Sequence, residues 1–212
     1  MNLSYRLGWH FFRFLFATYF RWRVYNTENV PLEGPAILAS NHASFLDPPL
    51  VGVPLRRTVY SLARASLFRF WLFGAILRSW LVIPLDREGG SPAGMKRIWD
   101  ELKHGGAIVI FPEGTRTRDG RLQPAHSGIG LTVIKSTAPV IPVRLFGTYE
   151  AFNRKAWFPK PHRIAIKYGK PLNFDALRAE AKTCDKARLR AIYQEAADQI
   201  MAAIGKLEPK AD

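Results

Sequence analysis

The chain has 212 residues, enough for one domain with a sizeable core, and 48% of them are hydrophobic, as in ordinary globular domains. Thirty-one Lys and Arg against 17 Asp and Glu give a net charge of +14, which favours anionic partners: nucleic acid, acidic lipid headgroups or phosphorylated substrates. The single cysteine, Cys184, excludes an internal disulfide.

The first segment, residues 1–25, predicts an amphipathic helix over residues 3–25. Its basic side chains share one face of such a helix: Arg6, His10, Arg13 and Arg21. The remaining surface is aromatic and aliphatic, with Leu7, Phe11, Phe12, Phe14, Leu15, Phe16, Tyr19 and Phe20. This pattern is typical of a helix that lies in a bilayer interface. The alternative is a helix that buries its aromatic face against its own domain.

The chain contains no stretch that approaches the ~18 uncharged apolar residues of a membrane-spanning helix. The basic, apolar N-terminus also lacks the small-residue cleavage site of a signal peptide. We therefore expect no cleaved signal, and a protein that lies on a membrane surface rather than crossing it.

Strand and helix patterns alternate after the first segment, which predicts one α/β domain over residues 26–212. Strands are predicted over residues 35–40, 58–62, 81–85, 107–111, 140–145 and 163–168. Helices are predicted over residues 47–53, with Asp47 as N-cap, and over 66–77, 92–104, 127–137 and 175–206, the last with a break near Thr183. The fully apolar strand 107–111 is typical of a sheet covered on both faces. We expect a mixed, largely parallel central sheet flanked by helices.

A second basic and aromatic region extends from Asp47 to Asp86, between which there is no acidic residue. Its cations are Arg56, Arg57, Arg64, Arg69 and Arg78, and its aromatic side chains include Phe68, Phe70, Trp71, Phe73 and Trp80. Aromatic rings favour the headgroup level of a bilayer, where arginine can pair with lipid phosphates. The alternative is an ordinary core helix with solvated arginines.

The predicted strand 35–40 leads directly into NHASFLD, residues 41–47, and strand ends are where open α/β sheets place reactive groups. Histidine is suited to proton transfer near neutral pH, and a carboxylate five residues later can accept a hydrogen bond from its other ring nitrogen. His42 and Asp47 are therefore candidate catalytic residues. Taken alone, the pair also fits a structural histidine beside a helix cap.

The apolar strand 107–111 leads into a second candidate segment, PEGTRTRDGR, residues 112–121. A glycine-containing loop rich in arginine can hold a phosphate, because Arg116 offers bidentate donors. Glu113 can orient Arg116 or hydrogen-bond a substrate hydroxyl. Taken alone, the segment fits a polar connecting loop equally well.

Together the two segments resemble the glycerolipid acyltransferases, specifically the 1-acylglycerol-3-phosphate acyltransferase family. Four blocks of that family occur in its order between residues 35 and 143. They are NHxxxxD at 41–47, a hydrophobic stretch ending in Arg87 at 82–87, FPEGTR at 111–116 and an apolar strand around proline at 140–143. Four blocks in order are a specific match, whereas any one alone is weak.

The resemblance implies that His42 is the general base that deprotonates the acceptor hydroxyl, and that Asp47 orients and charges it. It also implies that the acceptor's phosphate and glycerol are bound by Arg87, Glu113, Gly114, Thr115 and Arg116. The donor is a thioester, acyl-CoA or acyl-ACP as co-substrate, and attack is direct, without acyl-enzyme, metal or cofactor. The thioester oxyanion needs hydrogen-bond donors, for which backbone N–H groups near the start of the helix 47–53 are candidates.

One position departs from the family pattern. Many relatives carry Phe-Lys-x-Gly after the third block, whereas this chain has PAHSG at 124–128, with His126 in place of the Lys. His126 and Asn41 are therefore only possible substrate contacts. The favoured acceptor is 1-acylglycerol 3-phosphate, whose acylation makes phosphatidic acid for phospholipid synthesis, and another lysophospholipid or glycerol phosphate stays open.

The expected partners are a membrane lipid surface, lysophosphatidic acid and acyl-CoA or acyl carrier protein, at the cytoplasmic face of the inner (plasma) membrane. A basic nucleic-acid-binding module would explain the charge and the aromatic residues. It would not explain why acid-free stretches coincide with apolar ones, or why Glu113 lies inside the arginine loop, so we expect no nucleic-acid partner. A non-catalytic membrane protein of the same fold is the other alternative, against which the complete His42–Asp47 pair argues.

Overall fold

A computed structural model describes residues 3–85 and 92–211 of the chain. Helices in these ranges are Leu3–Thr18 (α1), Asp47–Gly52 (α2), Trp71–Ser79 (α3), Pro92–Lys103 (α4), Ser127–Lys135 (α5), Thr148–Phe152 (α6), Asp175–Glu180 (α7) and Lys186–Lys206 (α8). Strands are Arg23–Tyr25 (β1), Ala36–Ser40 (β2), Val59–Arg64 (β3), Val82–Leu85 (β4), Ala107–Ile110 (β5), Val140–Phe146 (β6) and Ala165–Tyr168 (β7). Short 3₁₀ turns occupy Thr27–Asn29 and Ala65–Arg69.

The strands in the described ranges form a seven-stranded sheet in the order β1-β7-β6-β2-β5-β3-β4. Neighbouring strands run parallel except for the antiparallel pair β6 and β7. The strands from β2 to β6 therefore all end at one edge of the sheet, here called the C-terminal edge. The predicted mixed, largely parallel α/β architecture is confirmed.

Hydrophobic cores cover both faces of the sheet, because successive strand side chains point to opposite sides. One core contains Phe16, Leu38, Leu50, Val109 and Tyr168, which join the sheet to α1 and α2. The other contains Ile37, Ile108, Ile129, Val140 and Ile200, which join it to α5 and α8. Every residue of β2 and β5 is buried, which agrees with a strand covered on both faces.

The predicted helix over residues 3–25 is too long. Helix α1 ends at Thr18, the chain turns through Arg21 with φ of 46°, and Arg23–Tyr25 pairs with β7 as an edge strand. A three-residue strand carries no periodic signal, and its partner lies far along the chain. The predicted helix 66–77 similarly divides into the 3₁₀ turn Ala65–Arg69 and α3.

Helix α1 packs on the domain with one face and leaves the other exposed. Phe16 is fully buried, as is Phe20 beyond the helix end, and Phe12 packs edge-on against Trp80 at a ring-centroid distance of 5.5 Å. The exposed side chains lie one helical turn apart along a stripe: Leu3, Leu7, Phe11 and Phe14. Part of the aromatic surface therefore belongs to the core, and part is free for another surface. No helix in the described ranges is long and apolar enough to span a bilayer.

Helix α3 extends this exposed apolar surface. It contacts α1, and Gly74 is its buried position. Exposed apolar side chains on α3 and the turn before it are Leu67, Phe70, Trp71, Leu72, Phe73 and Ile76. The interpretation of this segment as an ordinary core helix is therefore wrong.

Candidate active site

Two loops meet at the C-terminal edge of the sheet. One follows β2 and carries His42, and the other follows β5 and carries Glu113 and Arg116. They are neighbours because β2 and β5 are adjacent parallel strands, with Ala39 paired to Ile110 at their ends. The sheet thereby brings together two segments that lie about 70 residues apart in the sequence.

The His42 and Asp47 side chains form a hydrogen-bonded pair. His42 Nδ1 lies 2.8 Å from Asp47 Oδ2, and the Asp47 side chain is completely buried. The same oxygen accepts hydrogen bonds from the backbone N–H groups of Ala43 at 2.6 Å and Ser44 at 2.7 Å. A carboxylate held in this way keeps a proton on Nδ1 and leaves Nε2 as the basic ring nitrogen.

The predicted helix cap at Asp47 is wrong. Leu46 is the N-cap of α2, and Asp47 is the first helical residue. Its carboxylate turns back to the loop instead of forward to the helix. The amides near the start of α2 are also poor candidates for oxyanion donors, because Ala43, Ser44, Leu46 and Asp47 already donate within the loop.

The backbone of His42 joins the two loops directly. Its N–H donates to Glu113 Oε1 at 3.1 Å, and its carbonyl accepts a hydrogen bond from the N–H of Thr117 at 2.8 Å. The imidazole ring stacks on Phe111, with ring centroids 4.0 Å apart and an interplanar angle of 18°. The side chain keeps 18% of its surface exposed, so a reactant can still reach it.

The Asn41 side chain continues the sheet beyond the end of β2. Its Nδ2 donates to the carbonyl of Leu145 at 3.1 Å, and its Oδ1 accepts from the N–H of Leu145 at 2.8 Å. Asn41 is buried, and its amide is committed to β6. These bonds fix the point at which the chain leaves β2 and turns into His42.

Glu113 is a buried acid with one unsatisfied oxygen. Its Oε2 has no hydrogen-bond partner in the described part of the chain. Burial raises the pKa of Glu113 to about 7, and the nearby Asp47 adds to that rise, while the backbone N–H groups of His42 and Gln123 oppose it. Near neutral pH the carboxyl therefore exists in both its protonated and ionised forms.

Arg116 lies over the exposed aromatic ring of Phe45. The centre of its guanidinium group is 3.4 Å from the Phe45 ring centroid, and Phe45 is 59% exposed. Arg116 Nη1 is buried and has no hydrogen-bond partner among residues 3–85 and 92–211. A planar donor group with a free N–H suits an anionic ligand.

Two further cations surround Arg116. Burial lowers the pKa of Arg116, the guanidinium groups of Arg154 and Arg64 lower it further, and Asp47 opposes them. Arg64 is the last residue of β3 and Arg154 follows α6, so both lie at the C-terminal edge. Sequence reasoning assigned neither to the site. The strand-end rule that found His42 would have found Arg64, whereas nothing local marks Arg154.

The remaining predicted site residues are Gly114, Thr115, His126 and Arg87. Gly114, with φ of 64°, lies against His126, because a Cβ on Gly114 would be 2.9 Å from His126 Cδ2. Thr115 and His126 are both exposed. His126 therefore lies beside the 112–121 loop. Arg87 lies outside the described residues.

An apolar cavity of about 250 Å³ opens beside the site between α1, α2 and β3. Its lining includes Trp9, Phe12, Pro48, Ala63, Trp80 and Val109, and it reaches Phe45. The cavity therefore connects the packed face of α1 to the loop that holds His42. Among the described residues, no group of His, Cys, Asp or Glu side chains could hold a metal ion.

The family profile and the relatives that this chain resembles are all described as acyltransferases. A family profile described as Acyltransferase matches residues 21–145. A Brassica napus protein named as a chloroplastic 1-acyl-sn-glycerol-3-phosphate acyltransferase is 32% identical over 147 residues, which cover 66% of this chain and 42% of that protein. A Bacillus subtilis protein named 1-acyl-sn-glycerol-3-phosphate acyltransferase is 31% identical over 152 residues, which cover 71% of this chain and 73% of that protein.

The fold has a counterpart among solved structures. The crystal structure of the 1-acyl-sn-glycerophosphate acyltransferase PlsC from Thermotoga maritima superposes with a TM-score of 0.69 at 23% identity, covering 98% of this chain and 80% of that one. At this identity the similarity establishes the fold. The alignment with the Brassica protein, by contrast, spans less than half of that relative's length.

The raised pKa of Glu113 predicts a pH-dependent stability. The unfolded carboxyl ionises near its ordinary value of 4.5 while the folded one keeps its proton to about 7, so folding binds a proton between these values. The contribution of Glu113 to stability is therefore lost as the pH rises from 4.5 through 7. We expect the melting temperature of Glu113→Gln, minus that of the wild type, to increase from pH 5 to pH 8 and then level off.

The matched control is Glu33→Gln, the same change at an exposed carboxyl. Two results would contradict the raised pKa of Glu113. One is a melting-temperature difference for Glu113→Gln that does not change with pH, and the other is an equal rise for Glu33→Gln.

Proposed function

We propose that this chain, which belongs to the acyltransferase family, transfers a fatty acyl group from a thioester to the free hydroxyl of 1-acylglycerol 3-phosphate. The observation that carries the proposal is the buried Asp47 carboxylate on His42 Nδ1, next to the Arg116 guanidinium group with its free N–H. The names of the Brassica and Bacillus relatives agree with this reaction.

His42 acts as the general base. Its Nε2 removes the proton of the acceptor hydroxyl as that oxygen attacks the thioester carbonyl carbon. The tetrahedral intermediate then expels the thiolate, the C–S bond breaks, and the imidazolium returns the proton to the leaving sulfur. Asp47 stabilises the imidazolium formed between these steps and acts through His42 as a positioning residue.

The acceptor phosphate lies between Arg116 and the neighbouring cations. Arg116, Arg64 and Arg154 form no salt bridge with a carboxylate within the ranges that the structure describes, so their charge is available to a ligand. Protonated Glu113 would donate a hydrogen bond to a glycerol or phosphate oxygen through its unsatisfied Oε2. In this scheme Asn41 positions His42 through β6 rather than contacting substrate.

The apolar cavity beside Phe45 provides a place for an acyl chain. Its walls come from α1, α2 and β3 and are largely aromatic and aliphatic, and Phe45 of the loop that carries His42 also lines it. A chain bound there would bring its carboxyl end to the catalytic loop. The donor, acyl-CoA or acyl-ACP, is a co-substrate, and the scheme needs no cofactor.

A membrane surface would deliver the acceptor. The exposed stripe of α1 and the exposed aromatic residues of α3 together form an apolar surface bordered by arginines, which suits an anionic bilayer interface. We place the protein at the cytoplasmic face of the inner membrane, where soluble thioester donors are supplied.

A second acceptor class deserves a test because of position 126. His126 stands where many relatives have a lysine, and it lies against Gly114 in the arginine loop. An imidazole ring offers a phosphate fewer N–H donors than a lysine ammonium group does. Another lysophospholipid or glycerol phosphate is therefore the alternative acceptor, and a panel of acceptors with one labelled acyl donor decides between them.

Replacement of the base should abolish transfer. We expect His42→Ala to lower kcat for acylation of 1-acylglycerol 3-phosphate by about 10²–10⁴-fold, because general base catalysis contributes that much. The melting temperature should change little, since Asp47 keeps its backbone donors. His104→Ala, which removes an exposed histidine remote from the loops, is the control. Equal turnover by His42→Ala and wild type would refute the mechanism.

Removal of the phosphate ligand should affect the acceptor selectively. We expect Arg116→Ala to raise the KM for 1-acylglycerol 3-phosphate roughly 10- to 100-fold, since a hydrogen bond to a charged group contributes about 1.5–3 kcal/mol. The KM for the thioester should stay within about twofold of the wild type. Arg118→Ala, an exposed arginine two residues on, is the matched control. If the donor KM rises instead, Arg116 binds the donor.

A further inference from the structure

The loop between α6 and β7, residues 153–164, carries two adjacent and highly exposed aromatic side chains. Trp157 is 91% exposed and Phe158 is 79% exposed. Together they present on the order of 300 Å² of ring surface to solvent. This area is comparable with the largest apolar patch on a typical monomeric protein, and such patches are often functional.

The charges around the two rings identify the kind of contact. There is no acidic residue between Glu150 and Asp175. The cations on either side of the rings are Arg154, Lys155, Lys160 and Arg163, all exposed. Aromatic rings at a loop tip with cations behind them match an anionic bilayer, where rings occupy the headgroup level and cations meet the phosphates.

The loop is held in place by hydrogen bonds at both of its sides. Tyr19, just after α1, donates its hydroxyl to the Pro159 carbonyl at 3.0 Å. The N–H of Lys160 donates to the Ala151 carbonyl at 2.7 Å, and the N–H of Lys155 donates to Asn153 Oδ1 at 3.0 Å. The two rings are therefore presented at a defined position beside the end of α1.

The loop also borders the candidate phosphate site. Phe152, which precedes it, lies 5.9 Å from Phe45 between ring centroids, and Phe45 supports Arg116. Arg154 is close enough to act on Arg116 electrostatically. A lipid surface that meets the loop would therefore hold headgroups next to Arg116.

We propose that Trp157 and Phe158 insert into the headgroup region of an anionic bilayer, and that the 153–164 loop is a membrane contact separate from α1 and α3. The proposal rests on the proposed function in one respect, because the acceptor would come from that bilayer. The loop connects α6 to β7, whereas α3 lies between β3 and β4, and the strands β2 and β5 separate these two parts of the sheet.

The test is flotation of the full chain with phosphatidylcholine vesicles and with vesicles that also contain phosphatidylglycerol. We expect the double variant Trp157→Ser, Phe158→Ser to lower partitioning onto the anionic vesicles by at least about tenfold, since two large rings lose their apolar contact. Leu32→Ser removes an apolar side chain that is 69% exposed and precedes β2, at the edge of the sheet opposite the C-terminal edge, and this variant should bind as the wild type does. Unchanged partitioning of the double variant would overturn the proposal.

A second variant separates the charges from the rings. Lys155→Gln with Lys160→Gln should weaken binding to anionic vesicles and leave the weaker binding to neutral vesicles unchanged. Equal loss on both kinds of vesicle would overturn the assignment of an anionic surface. Melting temperatures near the wild-type value establish that each exposed-loop variant is folded.

Transfer to a short-chain, monomeric lysophosphatidate without vesicles tests the proposed function by itself. We expect the double Ser variant to keep the wild-type rate in that assay, because neither ring belongs to the catalytic loops. Absence of transfer by the wild type would refute the proposed function, whereas flotation alone decides the membrane contact.

Discussion

A buried carboxylate needs hydrogen-bond donors to replace the water it has lost. The donors that reach Asp47 determine the conformation of the loop 41–47. One of its oxygens accepts from His42 Nδ1 and from the amides of Ala43 and Ser44, so three consecutive residues converge on a single buried atom. The closed loop fixes the imidazole, whose Nδ1 is held by Asp47 and whose face stacks on Phe111. Loss of this interaction would free both the orientation and the tautomer of His42.

The sheet supplies the second constraint. Parallel strands β2 and β5 end side by side, so the loops that follow them must meet. They are then joined through the backbone of His42, whose N–H donates to Glu113 and whose carbonyl accepts from Thr117. Asn41 fixes the same stretch to β6. His42 is thus held from three strands, which explains how one residue can combine a fixed position with a ring that is still partly accessible.

The sequence predicted the site residues that belong to contiguous motifs. It did not predict features that depend on packing between distant segments. Residues 41–47 and 111–116 are contiguous motifs at strand ends, and both could be placed before the structure was known. The end of α1 could not, because Arg23–Tyr25 is a strand only by virtue of β7. Arg154 and Trp157 were not predicted as functional residues for the same reason. The position of their loop depends on α6 and on the hydrogen bond from Tyr19, which the local sequence does not indicate.

The His42–Asp47 pair is tested most directly by the imidazole nitrogen NMR spectrum of His42, with its signals identified by their loss in His42→Gln. We expect the neutral ring to carry its proton on Nδ1, strongly hydrogen-bonded to Asp47, and Nε2 to be unprotonated and able to accept a proton from the acceptor hydroxyl. A neutral ring protonated on Nε2 would contradict this expectation, because His42 would then have no basic nitrogen facing the substrate.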